Sequence, residues 1–160
     1  MLSVTLICVG KMKERHYLDA FAEYEKRLGA YCRFTLAEIP EQRLSDEPGA
    51  REIAAALEKE AAEVEKRIPA GATVVAMCVE GQQLSSPDLA RQLTAWTNAG
   101  CSRLCFLVGG SFGLSESLKA RADLRMSVSK MTFPHHLFRV MLAEQIYRAF
   151  TILAGSRYHK

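Results

Sequence analysis

The stretch Arg103-Leu-Cys-Phe-Leu-Val-Gly-Gly-Ser-Phe-Gly-Leu114 joins a short apolar run to three closely spaced glycines, Gly109, Gly110 and Gly113. A buried strand that enters a glycine-rich turn is how α/β proteins commonly present backbone groups to a cofactor. Glycine also lets the backbone approach a ligand with no Cβ in the way. The spacing differs from the dinucleotide fingerprint, and no Lys-Ser/Thr pair follows as in a phosphate loop. The stretch predicts either a ligand-binding loop or a plain tight turn.

Outside this stretch, apolar runs and helical spacing alternate along the chain. Together with 103–108, the predicted strands cover residues 2–9, 33–39, 73–79 and 124–128, and the predicted helices cover about 15–28, 51–68, 86–98, 115–121 and 134–154. The charged side of the helix at 51–68 is interpreted as a solvated face, and polar Glu41–Gly49 as a loop. Alternating strands and helices are typical of a parallel α/β layer fold. We therefore predict one Rossmann-like domain over residues 1–160.

Composition narrows the class of protein. The longest charge-free runs, such as Leu104–Ser115, are too short to cross a bilayer, which needs about 20 apolar residues. The first residues carry no basic segment and no cleavage site, so they predict a strand and not a signal peptide. Five cysteines without metal-type spacing favour buried, reduced thiols over a metal site or disulfides. These observations predict a cytoplasmic protein with no membrane contact and no metal.

The positive charge is concentrated at the C-terminal end. Residues 125–160 contain six Lys or Arg and a single acidic residue, Glu144, although the net charge of the whole chain is only +3. A basic end with nearby aromatic residues suits a polyanionic partner, because phosphate contacts dominate affinity for nucleic acids. A solvated basic tail is the alternative interpretation.

Arg139 is out of place on the last predicted helix. On a helical wheel it lies in the middle of the most apolar arc, between Phe150 and Ile146. An arginine on an apolar face is unfavourable unless it is paired or serves a site. We favour a site residue that recognises phosphate or a planar group; the alternative is a side chain whose stem packs while its head reaches solvent. Apolar residues outside this arc suggest a second buried surface, such as a dimer interface.

His135 and His136 begin the same helix. Adjacent histidines point in different directions and no carboxylate is spaced to complete a metal site, so a metal centre is disfavoured. One of the two remains a candidate general base.

Several segments together resemble one known family. They are Ile7–Lys13, Leu107–Leu114, Ser127–His135, Arg139–Ala149 and Tyr158-His159-Lys160. These segments are similar to those of the bacterial enzymes that methylate N3 of a pseudouridine in large-subunit (23S) ribosomal RNA. Those enzymes belong to the trefoil-knotted SPOUT class of S-adenosylmethionine-dependent methyltransferases. The resemblance runs from one end of the chain to the other.

The resemblance implies a C-terminal trefoil knot within about residues 73–154, a homodimer with the last helix at its interface, and activity on assembled ribosomes. It implies that S-adenosylmethionine is held largely by backbone groups, without an acidic ribose clamp. The implied cofactor-binding residues are Met77, Gly109, Val128, Ser129, Lys130, Met131, Thr132 and Phe133. For the chemistry, Arg139 is the candidate catalytic residue that holds the target nucleotide or stabilises the charge of the deprotonated base, and His135 is the candidate proton acceptor, although the family motif alone does not identify a base. Arg157, Tyr158 and His159 are expected to meet RNA or the partner's site.

Other functions remain open at this stage. The same fold is compatible with a ribosome-binding assembly factor that does not catalyse, or with a methyltransferase that has a different RNA target. A nucleotide-dependent oxidoreductase is disfavoured, since the chain lacks both the glycine fingerprint and the acidic residue that such enzymes use.

Overall fold

Five parallel strands form one sheet, and five helices cover its two faces. The computed structural model describes all residues from 1 to 160. The strands are β1 Ser3–Val9, β2 Arg33–Ile39, β3 Thr73–Gln83, β4 Arg103–Val108 and β5 Leu124–Ser127. The helices are α1 Arg15–Leu28, α2 Ala50–Glu65, α3 Ser86–Asn98, α4 Glu116–Arg121 and α5 His135–Leu153. The sheet order is β2-β1-β4-β3-β5, which confirms the predicted parallel α/β layer fold.

The end of the third strand and the end of the second helix differ from the prediction. The third strand continues to Gln83 and does not end at Val79, because β5 pairs with it a second time beyond that point. The second helix ends at Glu65, three residues before the predicted end at Ile68. Helix α3 covers the predicted residues 86–98 and is capped by Ser85, whose hydroxyl accepts from the Asp88 amide while Asp88 completes a reciprocal capping box.

Alternation of side chains along the strands divides the core into two layers. Leu6 and Phe106 face the layer built with α1, α3 and α5, whereas Ile7 and Leu107 face the layer built with α2 and α4. All four side chains are at most 1% exposed. Helices therefore flank a sheet that is buried on both faces, as parallel sheets require. None of the helices has the length and hydropathy that a membrane crossing requires.

β3 and β5 pair over two stretches that are separated by a short excursion of β3, residues 78–81. Val75–Met77 pair with Leu124–Met126, and pairing resumes at Gln82 opposite the same Met126. At the excursion, a Cβ on Gly81 would lie 2.6 Å from the carbonyl carbon of Met126. Real Cβ atoms do not approach backbone this closely, so the two chain segments can pass only because residue 81 is glycine. The trefoil knot itself stays a prediction.

Gly81→Ala is therefore expected to lower the free energy of unfolding by about 1–3 kcal/mol, the usual cost of overpacking. The added methyl group forces β5 away from β3, and both neighbours are backbone that cannot rotate aside. Urea denaturation of the variant measures the change. Gly49→Ala is the control, because Gly49 has a φ of −75° and a Cβ added there would have no neighbour within 4 Å. Gly49 is the N-cap of α2, where alanine is less favourable than glycine, so the control is expected to lose no more than about 1 kcal/mol. A loss at Gly81 no larger than that of the control would contradict the close passage.

Candidate functional site

A cleft of about 670 Å³ opens at the carboxyl ends of β3, β4 and β5. Its walls come from residues 77–80, where β3 leaves its first stretch of pairing with β5, from Val108 and the turn 109–114 at the end of β4, and from most of 126–135 at and beyond the end of β5, with Lys119 and Phe138 beside them. In open α/β sheets, ligands bind outside the carboxyl ends of the strands. The volume is in the usual range for a site that holds a small molecule or cofactor.

Most of the predicted cofactor residues meet in this cleft. Met77, Gly109, Val128, Ser129, Met131, Thr132 and Phe133 line it, whereas Lys130 does not. The two predicted segments that follow β4 and β5 therefore face one another across a single space, although they are separate in the sequence. Their roles toward a cofactor stay predictions.

The glycine turn after β4 folds back on itself. Gly113, with a φ of +78°, donates its amide to the Gly110 carbonyl oxygen at 3.1 Å. This return brings Gly113 against the start of the turn, where a Cβ on Gly109 would lie 2.2 Å from the Gly113 carbonyl carbon. Gly109 and Gly113 are thus required for different reasons, the first for close approach and the second for left-handed backbone.

Glu80 and Lys119 form an ion pair in the wall of the cleft that the sequence did not reveal. The Lys119 Nζ lies 2.6 Å from Oε1 of Glu80. The hydrogen bond from Lys119 lowers the pKa of the Glu80 carboxyl. Partial burial acts to lower the pKa of Lys119, but its bonds to Glu80 and Glu116 outweigh this and raise it. The cleft therefore contains a fixed pair of opposite charges, and the side chain of Glu80 supplies an acidic group where none was expected.

Arg139 is completely buried and lies behind the cleft, not on its surface. Its exposed fraction is 0%, so the alternative of a head that reaches solvent is wrong. Nη1 donates to Oε2 of Glu38 at 3.0 Å, and Nη2 donates to the carbonyl oxygens of Val9 and Gly10 at 2.9 and 2.6 Å. The guanidinium therefore ties α5 to the carboxyl ends of β1 and β2. Its Nε has no hydrogen-bond partner.

His135 lines the cleft, and His136 points to a different neighbour. Burial, reinforced by the charge of His136, lowers the pKa of His135, which favours a neutral imidazole that can accept a proton. Nδ1 of His136 lies 2.6 Å from Oε2 of Glu14 in the β1–α1 loop. No group of three or more His, Cys, Asp or Glu side chains is arranged to hold a metal ion.

The predicted substrate residues of the tail lie far from the cleft of the same chain. Tyr158 donates its hydroxyl to Glu144 at 3.1 Å, and its ring lies 4.7 Å from the Arg148 guanidinium. Arg148 also contacts His159, whereas Arg157 is exposed. At a rise of about 1.5 Å per residue, Arg148 is roughly 20 Å along α5 from His135. Within one chain, the tail residues and the cleft are therefore at opposite ends of the last helix.

Sequence comparisons identify the family. A family model described as a predicted SPOUT methyltransferase matches residues 2–159. The chain belongs to the SPOUT methyltransferase family. Two relatives, from Streptococcus pyogenes and Clostridium beijerinckii, are each named ribosomal RNA large subunit methyltransferase H. Each is 42% identical over 159 residues, which cover 99% of this chain and 100% of the relative.

A solved structure supports the fold of this SPOUT family member. A probable methylase family protein from Haemophilus influenzae Rd KW20 superposes with a TM-score of 0.55 at 10% identity, covering 100% of this chain and 72% of that chain. Similarity at this identity concerns the fold alone. The family resemblance predicted from the sequence is confirmed, whereas the individual roles of Arg139, His135 and the tail residues stay predictions.

Proposed function

We propose that this chain transfers a methyl group from S-adenosylmethionine to N3 of a pseudouridine in 23S ribosomal RNA, on assembled ribosomes. The observation that carries the proposal is the cleft at the carboxyl ends of β3, β4 and β5, in a chain 42% identical to full-length rRNA large subunit methyltransferases. A ribosomal substrate implies a cytoplasmic enzyme.

The cleft fits the proposed cofactor on two grounds. Its volume of about 670 Å³ is in the range for such ligands, and the missing side chain at Gly109 lets the turn fold into a wall of backbone groups. Met77, Gly109 and the segment 128–133 would hold the cofactor; within that segment the Lys130 side chain is exposed and does not line the cleft. When bound, S-adenosylmethionine supplies an electrophilic methyl group and leaves as S-adenosylhomocysteine.

The chain's contribution to the reaction is alignment and proton transfer. Holding the base in line with the donor is worth roughly 7–11 kcal/mol of the barrier. N3 of pseudouridine carries a proton that must leave, and His135 is the proposed acceptor, because its lowered pKa keeps it neutral at the edge of the cleft. Arg139, which is buried behind the cleft, supports this role in two ways. Its positive charge helps to lower the pKa of His135 and so keeps the imidazole neutral, and its hydrogen bond to the Gly10 carbonyl oxygen fixes Gly10 beside the site.

The proposal includes a homodimer. Three large apolar side chains at the cleft are substantially exposed: Val79 (47%), Phe112 (48%) and Met131 (73%). A second protomer would cover such residues. The tail residues Arg157, Tyr158 and His159, which lie far from the cleft of their own chain, would then meet RNA or the partner's site.

Two measurements test the proposal. Calorimetry should show binding of S-adenosylmethionine but not of NAD, since the chain lacks a dinucleotide fingerprint. Mass mapping of 23S rRNA from a strain without the gene should show the loss of one methyl group on a pseudouridine, which returns when the wild-type gene is restored. Cofactor binding with unchanged rRNA would favour a different RNA target. Absence of cofactor binding together with ribosome binding would favour a non-catalytic assembly factor.

A further inference from the structure

We propose that Glu41 is a positioning residue that holds the glycine turn in the shape of the cofactor cleft. This inference rests on the proposed function for its effect on the methyl donor, but not for its structural basis. Glu41 lies in the loop between β2 and α2, and Oε1 of its carboxylate accepts the backbone amide of Ser111 at 2.8 Å. Ser111 lines the cleft. A charge-assisted hydrogen bond therefore joins two segments 70 residues apart in the sequence.

The glycine at position 110 is explained by this carboxylate. Gly110 does not have a positive φ, so its backbone conformation is open to other residues. A Cβ at this position would instead lie 2.6 Å from Oε1 and 2.9 Å from Cδ of Glu41. Glycine at position 110 leaves room for the Glu41 carboxylate, and a side chain there would have to displace it.

The carboxylate also lies where three loops meet. A Cβ on Gly10, which follows β1, would be 3.5 Å from Oε2 of Glu41, 3.6 Å from Nη2 of Arg139 and 3.9 Å from Nε2 of His135. β2, β1 and β4 are adjacent in the sheet, so the loops after these strands converge at one edge. Glu41 is therefore next to the proposed proton acceptor as well as to the turn.

The loop that carries Glu41 is itself held in place. The amide of Gln42 donates to Oε2 of Glu60 at 2.8 Å, and the amide and hydroxyl of Ser45 both donate to Glu52 at 2.8 Å. Glu60 is only 5% exposed, and this burial raises the pKa of its carboxyl. These bonds to α2 hold the backbone next to Glu41, so its carboxylate is directed at the turn before any ligand binds.

A fixed turn matters because glycine-rich backbone loses much conformational entropy when it is ordered. If Glu41 orders the turn in the free protein, cofactor binding no longer has to do so, and affinity rises. Glu41 itself is exposed and its removal leaves no buried group unpaired, so its loss is expected to act on the turn and not on the stability of the fold.

The decisive experiment compares Glu41→Ala, Glu41→Gln and the control Glu47→Ala, which lies in the same loop and makes no side-chain hydrogen bond. Amide hydrogen exchange at Ser111 in the ligand-free protein is expected to accelerate about tenfold in Glu41→Ala, from the loss of one such bond. Glu41→Gln keeps an acceptor oxygen and is expected to stay within about threefold of wild type. Unchanged exchange in Glu41→Ala would overturn the proposal, whether or not the protein binds the methyl donor.

The functional arm measures the Kd for S-adenosylmethionine. We expect a loss of about tenfold in Glu41→Ala, most of it recovered in Glu41→Gln, with the KM for the methyl donor rising more than kcat falls. Faster exchange in Glu41→Ala with wild-type affinity would overturn its role in binding. Failure of the wild-type protein to bind the donor would instead refute the proposed function. In that case the exchange data would still show whether the hydrogen bond from the Ser111 amide to Glu41 orders the turn.

A double-mutant cycle tests the pair Glu41 and Gly110. Gly110→Ala is expected to displace the carboxylate and to weaken donor binding about as much as Glu41→Ala. In the Glu41→Ala background the clash is gone, so Gly110→Ala is expected to cause little further loss. Additive losses would show that the two residues act independently and would overturn this explanation of Gly110.

Discussion

Arg139→Ala is expected to lower the free energy of unfolding by about 3 kcal/mol and to abolish methyl transfer. Breaking a buried ion pair by removing one partner usually costs about 3–5 kcal/mol, and the lower value applies because the Glu38 side chain is 30% exposed. The variant also leaves the carbonyl oxygens of Val9 and Gly10 without the donor that they share. Urea denaturation and a methyl-transfer assay measure the two effects.

Arg15→Ala is the control for this prediction. Arg15 pairs with Asp19 on α1, but the two side chains are 88% and 66% exposed, so its loss is expected to cost about 1 kcal/mol or less. Adding Glu38→Gln to Arg139→Ala should recover part of the stability, because the carboxylate that lost its partner is then neutral. A loss below about 1 kcal/mol for Arg139→Ala would contradict the structural role of the guanidinium.

Gly109→Ala is expected to weaken S-adenosylmethionine binding by roughly 5- to 140-fold, since overpacking of this kind costs about 1–3 kcal/mol. The new Cβ would lie 2.2 Å from the carbonyl carbon of Gly113 and 2.4 Å from its oxygen. Neither atom belongs to a side chain that can rotate away, so the turn has to open. Calorimetry with the methyl donor measures the change.

Gly49→Ala serves as the control here too, because the added Cβ would have no neighbour within 4 Å and Gly49 lies outside the cleft. Its donor affinity is expected to match wild type. If Gly109→Ala also bound the donor normally, the turn could not be a wall of the binding site, and the cofactor would have to lie elsewhere in the fold.

Local patterns were sufficient to predict most of the fold. Strand β4 and the start of α5 lie where apolar periodicity and Pro134 predict them, because these signals act over a few residues. The continuation of β3 beyond Val79 was missed because it depends on β5, a strand more than 40 residues later. The polar residues in this continuation do not show the apolar pattern that predicts a strand.

The contacts of the candidate site were harder to predict from the sequence, because they join residues that are far apart along the chain. The helical wheel shows that Arg139 needs a partner, but Glu38 lies 101 residues away and nothing local points to it. Glu60 was interpreted as part of a solvated face, yet it is buried and accepts a hydrogen bond from the amide of Gln42, a residue 18 positions earlier in the chain. Lys119 and Glu80 meet only because α4 and the end of β3 border the same cleft.

The bonds from Arg139 to Val9 and Gly10 also bear on how the protein is made. They join the end of the first strand to the last helix, so a nascent chain holds those two carbonyl oxygens without their donor until α5 has been translated. At about 5–20 residues per second, the interval is on the order of 10 s. The edge of the site at Gly10 is therefore completed only at the end of synthesis, and an unfinished chain is expected to lack activity.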